Sequence, residues 1–177
     1  MQFNDCFVKI EQNMAGLFLK NEKLCKLLWH NDNNPLAQHM DEDIAQNMLI
    51  DFVEEVDGEG NIQLIENPDC RVFFVPFTDL VETPLKSQLR VYTARINPDN
   101  IYISEVFVQI DIIVPQQLNK LRNGRRRESI LSEVMKTYNG QEIGLLNPLA
   151  IVKRPIDIRH FRGTFFGYSV LFSTRVA

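Results

Sequence analysis

Few residues in this chain of 177 are of types that commonly carry chemistry, and they are widely spaced. His30 and His39 flank an Asn- and Asp-rich stretch that also holds Asp32, Asp41 and Asp43. A metal site needs several such ligands to converge under a second shell of hydrogen bonds, and this spacing matches no ligand signature. We therefore predict exposed loop histidines at this point, with no metal and no cofactor.

The remaining catalytic residue types also lack the surroundings that they need. His160 lies between Arg159 and Arg162, where two cations leave a histidine poorly placed to accept a proton. No serine has a G-x-S-x-G context, and the chain has no glycine-rich phosphate loop. The acidic neighbours Glu54 and Glu55 are adjacent, so they do not face each other as a catalytic pair. The sequence therefore predicts a protein that is not an enzyme.

The most unusual local charge is a basic run in the stretch LRNGRRRES. Guanidinium groups pair well with phosphate, and equally with carboxylates at a protein interface. The run precedes a predicted helix, where cations oppose the helix dipole, so helix stability alone does not explain it. Three interpretations stay open: a protein interface, a solvated helix start, or a contact with DNA phosphate. The residues are Arg122, Arg125, Arg126 and Arg127.

Composition bounds the class of protein. The chain is 45% hydrophobic with a net charge of -4, which fits one folded domain over 1–177 and argues against nonspecific wrapping of nucleic acid. The chain has three cysteines, Cys6, Cys25 and Cys70, and their odd number and wide spacing do not suggest a disulfide framework or a zinc site. We therefore expect free and mostly buried thiols in a reducing compartment. No apolar run is long enough for a membrane span, and the first residues do not resemble a signal peptide. We expect folding in a cytoplasm.

The rest of the chain is organised around the stretch from Ile101 to Val114, which contains the longest clean alternation of apolar and polar residues. Alternate side chains of a strand point to opposite faces, so one face is predicted to be dry and the other mostly wet. An aromatic residue on the wet face favours a subunit contact. The interface candidates on that face are Glu105, Phe107, Gln109 and Asp111, and the basic run supplies the others.

Helical spacing appears at the start and in the second half of the chain. Apolar residues recur at steps of three and four near the N-terminus, and Asn21 is a candidate cap for a second helical piece. A further helix has its apolar face from Ile130 to Tyr138, and Gly140 fits its end. Between these helices, the region around 31–67 lacks strong periodicity. We predict an irregular loop or arm insertion there, with a short helix near Ile44–Phe52.

The other elements are predicted strands. Arg71–Phe77 contains Pro76, which cannot donate a ladder hydrogen bond, so this strand is predicted to lie at an edge or to end at the proline. Gln88–Ile96 and the long strand are joined by NPDN, which predicts an antiparallel hairpin. A broken strand, Leu149–Ile158, and a final strand, Thr164–Val176, follow. The order predicts an α+β fold, in which an antiparallel sheet with a long β-hairpin packs against two main helices.

This order of elements resembles that of phage tail terminator proteins. SEVFVQIDIIVP is similar to the long sheet strand of that family, ESILSEVMKTYNG to its following helix, and FRGTFFGYSVLFSTRV to its last strand. The opening LFLKNEKLCKLLWH resembles the N-terminal helix of related neck proteins. The segments His30–Asn67 and Thr78–Lys86 are longer than a minimal terminator needs.

The resemblance implies a structural virion protein that assembles in the host cytoplasm into a ring, usually a hexamer. Such a ring caps the tail tube and joins it to a neck, head-completion or portal-side protein, while DNA passes through its lumen without sequence-specific binding. Two alternatives stay open. One is a different neck adaptor that contacts the portal, and the other is a small cytoplasmic α+β enzyme or ligand-binding domain with a deep polar pocket.

Overall fold

The computed structural model describes residues 3–58, 60–75, 85–100, 103–143, 146–153, 156–161 and 163–176, with the backbone alone for 3–6. Helices and strands both contribute to one core, which confirms the α+β prediction. The described helices are α1 (Phe3–Leu19), α2 (Glu22–Trp29), α3 (Glu42–Asn47) and α4 (Arg126–Tyr138). The described strands are β1 (Phe52–Val56), β2 (Ile62–Glu66), β3 (Val72–Phe73), β4 (Gln88–Pro98), β5 (Ser104–Pro115), β6 (Lys120–Leu121), β7 (Gly124–Arg125), β8 (Ala150–Ile151), β9 (Asp157–His160) and β10 (Phe165–Val176).

Six strands form the main sheet, in the order β3-β4-β5-β10-β8, with β9 also pairing β10. Because β5 occupies one side of β10 along its whole length, β8 and β9 share the other side. All pairs are antiparallel except β3 with β4, which is parallel. The predicted hairpin is confirmed as β4–β5, and the predicted edge strand is confirmed as β3. Pro76, Phe77 and Ile101 lie outside the described residues.

One face of the main sheet packs against the helices. The alternate residues of β5 from Val106 to Val114 are buried there, as the alternation predicts.

Asn21 caps α2, because its side-chain oxygen accepts a hydrogen bond from the Leu24 backbone nitrogen at 3.1 Å. Its amide also donates to Thr137 of α4 at 2.7 Å, which fixes the two helices against each other. Gly140 ends α4 with a φ of 78°, a conformation that glycine adopts without steric cost.

The region around 31–67 differs from the irregular loop that periodicity predicts. It holds a 3₁₀ turn at Pro35–Ala37, helix α3 and the antiparallel hairpin β1–β2. The expected short helix is present but ends earlier, since Phe52 already begins β1. The pattern was missed because most apolar side chains of this hairpin are exposed, so no buried stripe marks its strands.

Two cysteines match their predicted state. Cys25 and Cys70 are free and buried, and burial raises the pKa of each thiol to about 12. Both therefore remain protonated at neutral pH and behave as small apolar side chains. The side chain of Cys6 lies outside the described residues.

Two glycines provide a test of how closely the sheet is packed. A Cβ at Gly167 in β10 would overlap the carbonyl oxygen of Ile112, whereas a Cβ at Gly16 in α1 meets nothing within 4 Å. We predict that Gly167→Ala lowers the free energy of unfolding by about 3 kcal/mol, because the backbone of β5 must move. Gly16→Ala should instead raise it by about 0.5–1 kcal/mol. Urea unfolding followed by circular dichroism measures both, and equal effects would contradict this account of the sheet.

Candidate interaction surfaces

The face of β5 that points away from the helices is drier than its sequence predicts. Gln109 and Asp111 are buried, so the expectation of a wet face is wrong for them. The cause lies on the neighbouring strands, where Tyr92 of β4 stands opposite Gln109, and Ser169 of β10 stands opposite Asp111. These four polar side chains meet and hydrogen-bond with one another.

The Asp111 carboxylate is the acceptor at the centre of this group. Tyr92 donates to its Oδ2 at 2.9 Å, Gln109 donates to its Oδ1 at 2.8 Å, and Ser169 donates to the same Oδ1. Gln109 donates in addition to the Tyr92 hydroxyl at 2.8 Å. Burial, together with the Asp111 charge, raises the pKa of Tyr92 and keeps its hydroxyl a donor. The group therefore ties three strands together and leaves Gln109 and Asp111 unavailable to a partner.

The other two candidates on β5 remain partly accessible. Glu105 and Phe107 are both half-buried. The guanidinium of Arg95 lies 5.7 Å from the centre of the Phe107 ring, a cation–π contact that occupies part of this aromatic surface. The aromatic residue that suggested a subunit contact is thus already partnered within the subunit.

Arg126 is the largest departure from the predicted basic surface, because its side chain is 0% exposed. Its Nε donates to the carbonyl of Leu118 at 2.8 Å, and its Nη1 donates to those of Leu27 at 2.6 Å and His30. Its Nη2 donates to the carbonyl of Asp32. The carbonyls of Leu27 and His30 lie at the C-terminal end of α2, so Arg126 caps this end, and its positive charge also complements the helix dipole. Burial lowers the pKa of Arg126 to about 10. Arg126 therefore joins α4 to α2 and to the loop after it within one subunit, as an internal clamp, and the prediction that it lies at an interface is wrong.

Arg127 is half-buried beside aromatic rings. Its Nε donates to Glu128 Oε1 at 2.8 Å, and its guanidinium lies 4.8 Å from the Phe166 ring centre. Burial raises the pKa of the Glu128 carboxyl, but hydrogen bonds led by that from Arg127 outweigh it and lower the pKa overall. The guanidinium of this arginine is therefore already engaged within the subunit.

Arg122 and Arg125 keep the exposure that the sequence predicts. They stand with Lys120 on the small hairpin β6–β7, and all three side chains are exposed. Within the described ranges none of the three has an ion-pair partner. The backbone nitrogen of Arg122 donates to Asn33 at 2.7 Å, so the hairpin is fixed in place.

The hairpin β1–β2 carries an exposed apolar face that sequence reasoning missed. Its register places four apolar side chains on one face, and they are 57–68% exposed. Single exposed apolar residues are ordinary, but a contiguous group of this kind marks an interaction surface. The Asp-Gly turn between two short runs of β-forming residues is the signal that could have found the hairpin. The four residues are Phe52, Val56, Ile62 and Leu64.

Asn67 fixes the root of this hairpin. Its amide donates to the carbonyls of Asn47 at 3.0 Å and Ile50 at 2.9 Å, and its backbone nitrogen donates to Asp51 at 2.8 Å. At the tip, Asp57 accepts from the backbone nitrogen of Asn61 at 2.8 Å. The hairpin is therefore held at both ends and presents its apolar face in a defined place.

The described clefts bring no catalytic constellation together. The cleft beside Arg125 has a volume of about 420 Å³ and is walled by side chains of both charges. His39 contacts the Asp41 carboxylate at 2.7 Å, and both side chains are exposed to solvent. In the described part of the chain, no three His, Cys, Asp or Glu side chains form a group that could hold a metal, and no helix is long and apolar enough to cross a membrane.

Comparison with protein families places the chain in a family. A family model described as YomW matches residues 21–174, which spans α2 to β10. The family is named after a phage gene, and this fits a phage-associated protein. No curated protein matches the chain.

Arg125 and Arg126 form a matched pair for testing the internal clamp. We predict that Arg126→Met lowers the free energy of unfolding by at least about 3 kcal/mol, because buried carbonyls lose their donor and each costs about 1–3 kcal/mol when unsatisfied. Arg125→Met removes the same charge from an exposed position and should change stability by less than about 0.5 kcal/mol. Chemical denaturation of both variants measures the difference. Similar stabilities would show that Arg126 does not hold α2 and α4 together.

Proposed function

The chain belongs to the YomW family, and on this basis we propose that it is a structural protein of a bacteriophage particle. Its place in the particle is that of a tail-terminator ring subunit, which caps the tail tube and joins it to the neck. The apolar face of the hairpin β1–β2 is the observation that carries the proposal, because it is an interaction surface that the subunit's own core does not use.

The energetics of this face favour assembly over a solitary subunit. Fully burying an apolar side chain of this size is worth roughly 1.5–3 kcal/mol, so four of them supply several kcal/mol toward a protein contact. The acidic side chains Glu54 and Glu66 lie on the same face of the hairpin and limit indiscriminate association. Apolar side chains interspersed with a few charges combine contact area with specificity at a protein interface.

The proposed partners follow from this role. Copies of the chain form the ring, the tail tube protein lies on one side of it, and a neck, head-completion or portal-side protein lies on the other. DNA passes through the lumen of the ring and makes no base-specific contacts with charged side chains there. The exposed cations Arg122 and Arg125 are available to DNA phosphate or to a protein carboxylate.

Disruption of the coding sequence in the phage that carries it tests the role directly. We expect unjoined heads and tails, with tails of uncontrolled length, and rescue by the intact chain supplied in trans. Electron microscopy of the particles measures both effects. Joined particles of normal tail length would overturn the proposal, while normal tail length with heads still detached would favour a portal-contacting adaptor.

Variants of the hairpin separate its assembly role from folding. We predict that the double change Phe52→Ser and Leu64→Ser leaves the unfolding midpoint nearly unchanged, because both side chains are exposed in the subunit. The same variant should fail to form rings, alone or on added tail tube, in native mass measurement and electron microscopy. Val8→Ser alters another exposed apolar residue and serves as the control. Ring formation by the double variant at the level of the control would contradict the assigned role.

A further inference from the structure

The hairpin β1–β2 has unused capacity for pairing as well as an apolar face. It forms a two-stranded sheet of its own, and in the described ranges neither strand pairs with a third. The segment 51–67 carries six acidic residues and no Lys or Arg. A partner for this hairpin must therefore offer apolar surface, positive charge and, to use the open strands, a backbone edge.

Strand β9, together with the basic residues that flank it in the sequence, combines these three properties. It pairs with β10 on one side, and no described strand pairs with its other side. All four of its side chains are exposed, including Ile158 at 65%. The segment 153–162 has four Lys or Arg residues against one acid, so its charge is opposite to that of the hairpin.

The root of the hairpin and strand β9 lie at opposite ends of the main sheet. The chain runs from β2 directly to β3, the strand at one end, and the backbone nitrogens of Arg71 and Val72 donate to Met48 just before the hairpin. Strand β9 lies at the other end, beyond β4, β5 and β10. Four strand spacings separate β3 from β9, a distance of roughly 19 Å. One subunit therefore presents an acidic arm at one end and a basic edge at the other.

We infer that the hairpin β1–β2 of one copy docks along the edge strand β9 of a second copy of this chain. The inference rests on the proposed function, since it names the hairpin's partner within the same ring. Two different patches meet in such a contact, so it repeats from copy to copy, and it closes into a ring when the rotation between copies permits. Opposite charges set the register, while the apolar face and the open backbone edges supply the contact area.

Site-directed cross-linking tests which surfaces meet. In a Cys6→Ser background the native thiols Cys25 and Cys70 are buried, so an introduced exposed cysteine reacts selectively. A mixture of Leu64→Cys and Ile158→Cys single variants should give a covalent pair with a short bismaleimide. One chain carrying both changes should give a ladder of multimers. Val8→Cys, an exposed site on α1, replaces one partner in the control mixture. A yield no higher than that of the control overturns the inference.

Charge reversal tests the pairing independently. Glu54→Lys with Glu55→Lys on the hairpin, or Lys153→Glu with Arg159→Glu at the basic edge, should each weaken self-association by at least about tenfold. A chain carrying both sets should regain association, because the opposite charges are restored in exchanged positions. Arg122→Glu with Arg125→Glu makes the same charge change on the other basic surface and should leave association unchanged. The inference is overturned if the combined variant does not regain association and the control variant Arg122→Glu with Arg125→Glu loses it.

The two proposals fail in different ways. If the hairpin reversals abolish head-to-tail joining in the phage but Leu64→Cys and Ile158→Cys do not cross-link, the hairpin docks on another virion protein. The inference is then overturned and the proposed function stands. If the cross-link forms but disrupting the coding sequence leaves normal joined particles, the inference stands and the proposed function fails.

Discussion

One buried guanidinium joins α2 to parts of the subunit that lie far away in the sequence. Arg126 begins α4, yet its hydrogen bonds reach the C-terminal end of α2, the loop at Asp32 and the turn that follows β5. Because the side chain is buried, loss of the guanidinium would leave buried carbonyl groups without a donor, which costs free energy of folding. The cation lies at the negative end of α2 and at the positive end of its own helix. The first contact outweighs the second because it is desolvated and directly hydrogen-bonded.

Periodicity predicted the elements that face the core, and it failed where burial has a different cause. The NPDN connector predicted the hairpin with β4, the order of elements predicted the α+β class, and the alternation of β5 identified its dry face. It did not predict that Asp111 is buried, because this depends on Tyr92 and Ser169, which the register brings beside it from other strands. Nothing in the letters of a basic run separates Arg126 from its neighbours. Its burial follows from the position of α2, about a hundred residues earlier in the chain.

The hairpin β1–β2 lacks the apolar alternation toward a core that marks a strand in a sequence. Its apolar face points away from the subunit's core. Its local chemistry is nevertheless that of a hairpin, with Asp57 and Asn61 closing the turn and Asn67 closing the root. Local chemistry thus specifies the structure of the hairpin, and the free apolar face is left for contacts beyond the subunit.

The modest net charge of -4 conceals a strongly uneven distribution along the chain. Six acids lie within segment 51–67, and four Lys or Arg residues lie within segment 153–162. If repulsion between copies were needed only for solubility, charges of one sign spread over the surface would serve as well. An acidic hairpin that precedes one end of the main sheet and a basic segment that contains the strand at its other end instead favour one orientation between copies, since like charges repel and unlike charges attract. In a head-to-tail arrangement the acidic hairpin and the basic edge of each copy meet two different neighbours, whereas in a two-fold dimer both would have to meet the same copy.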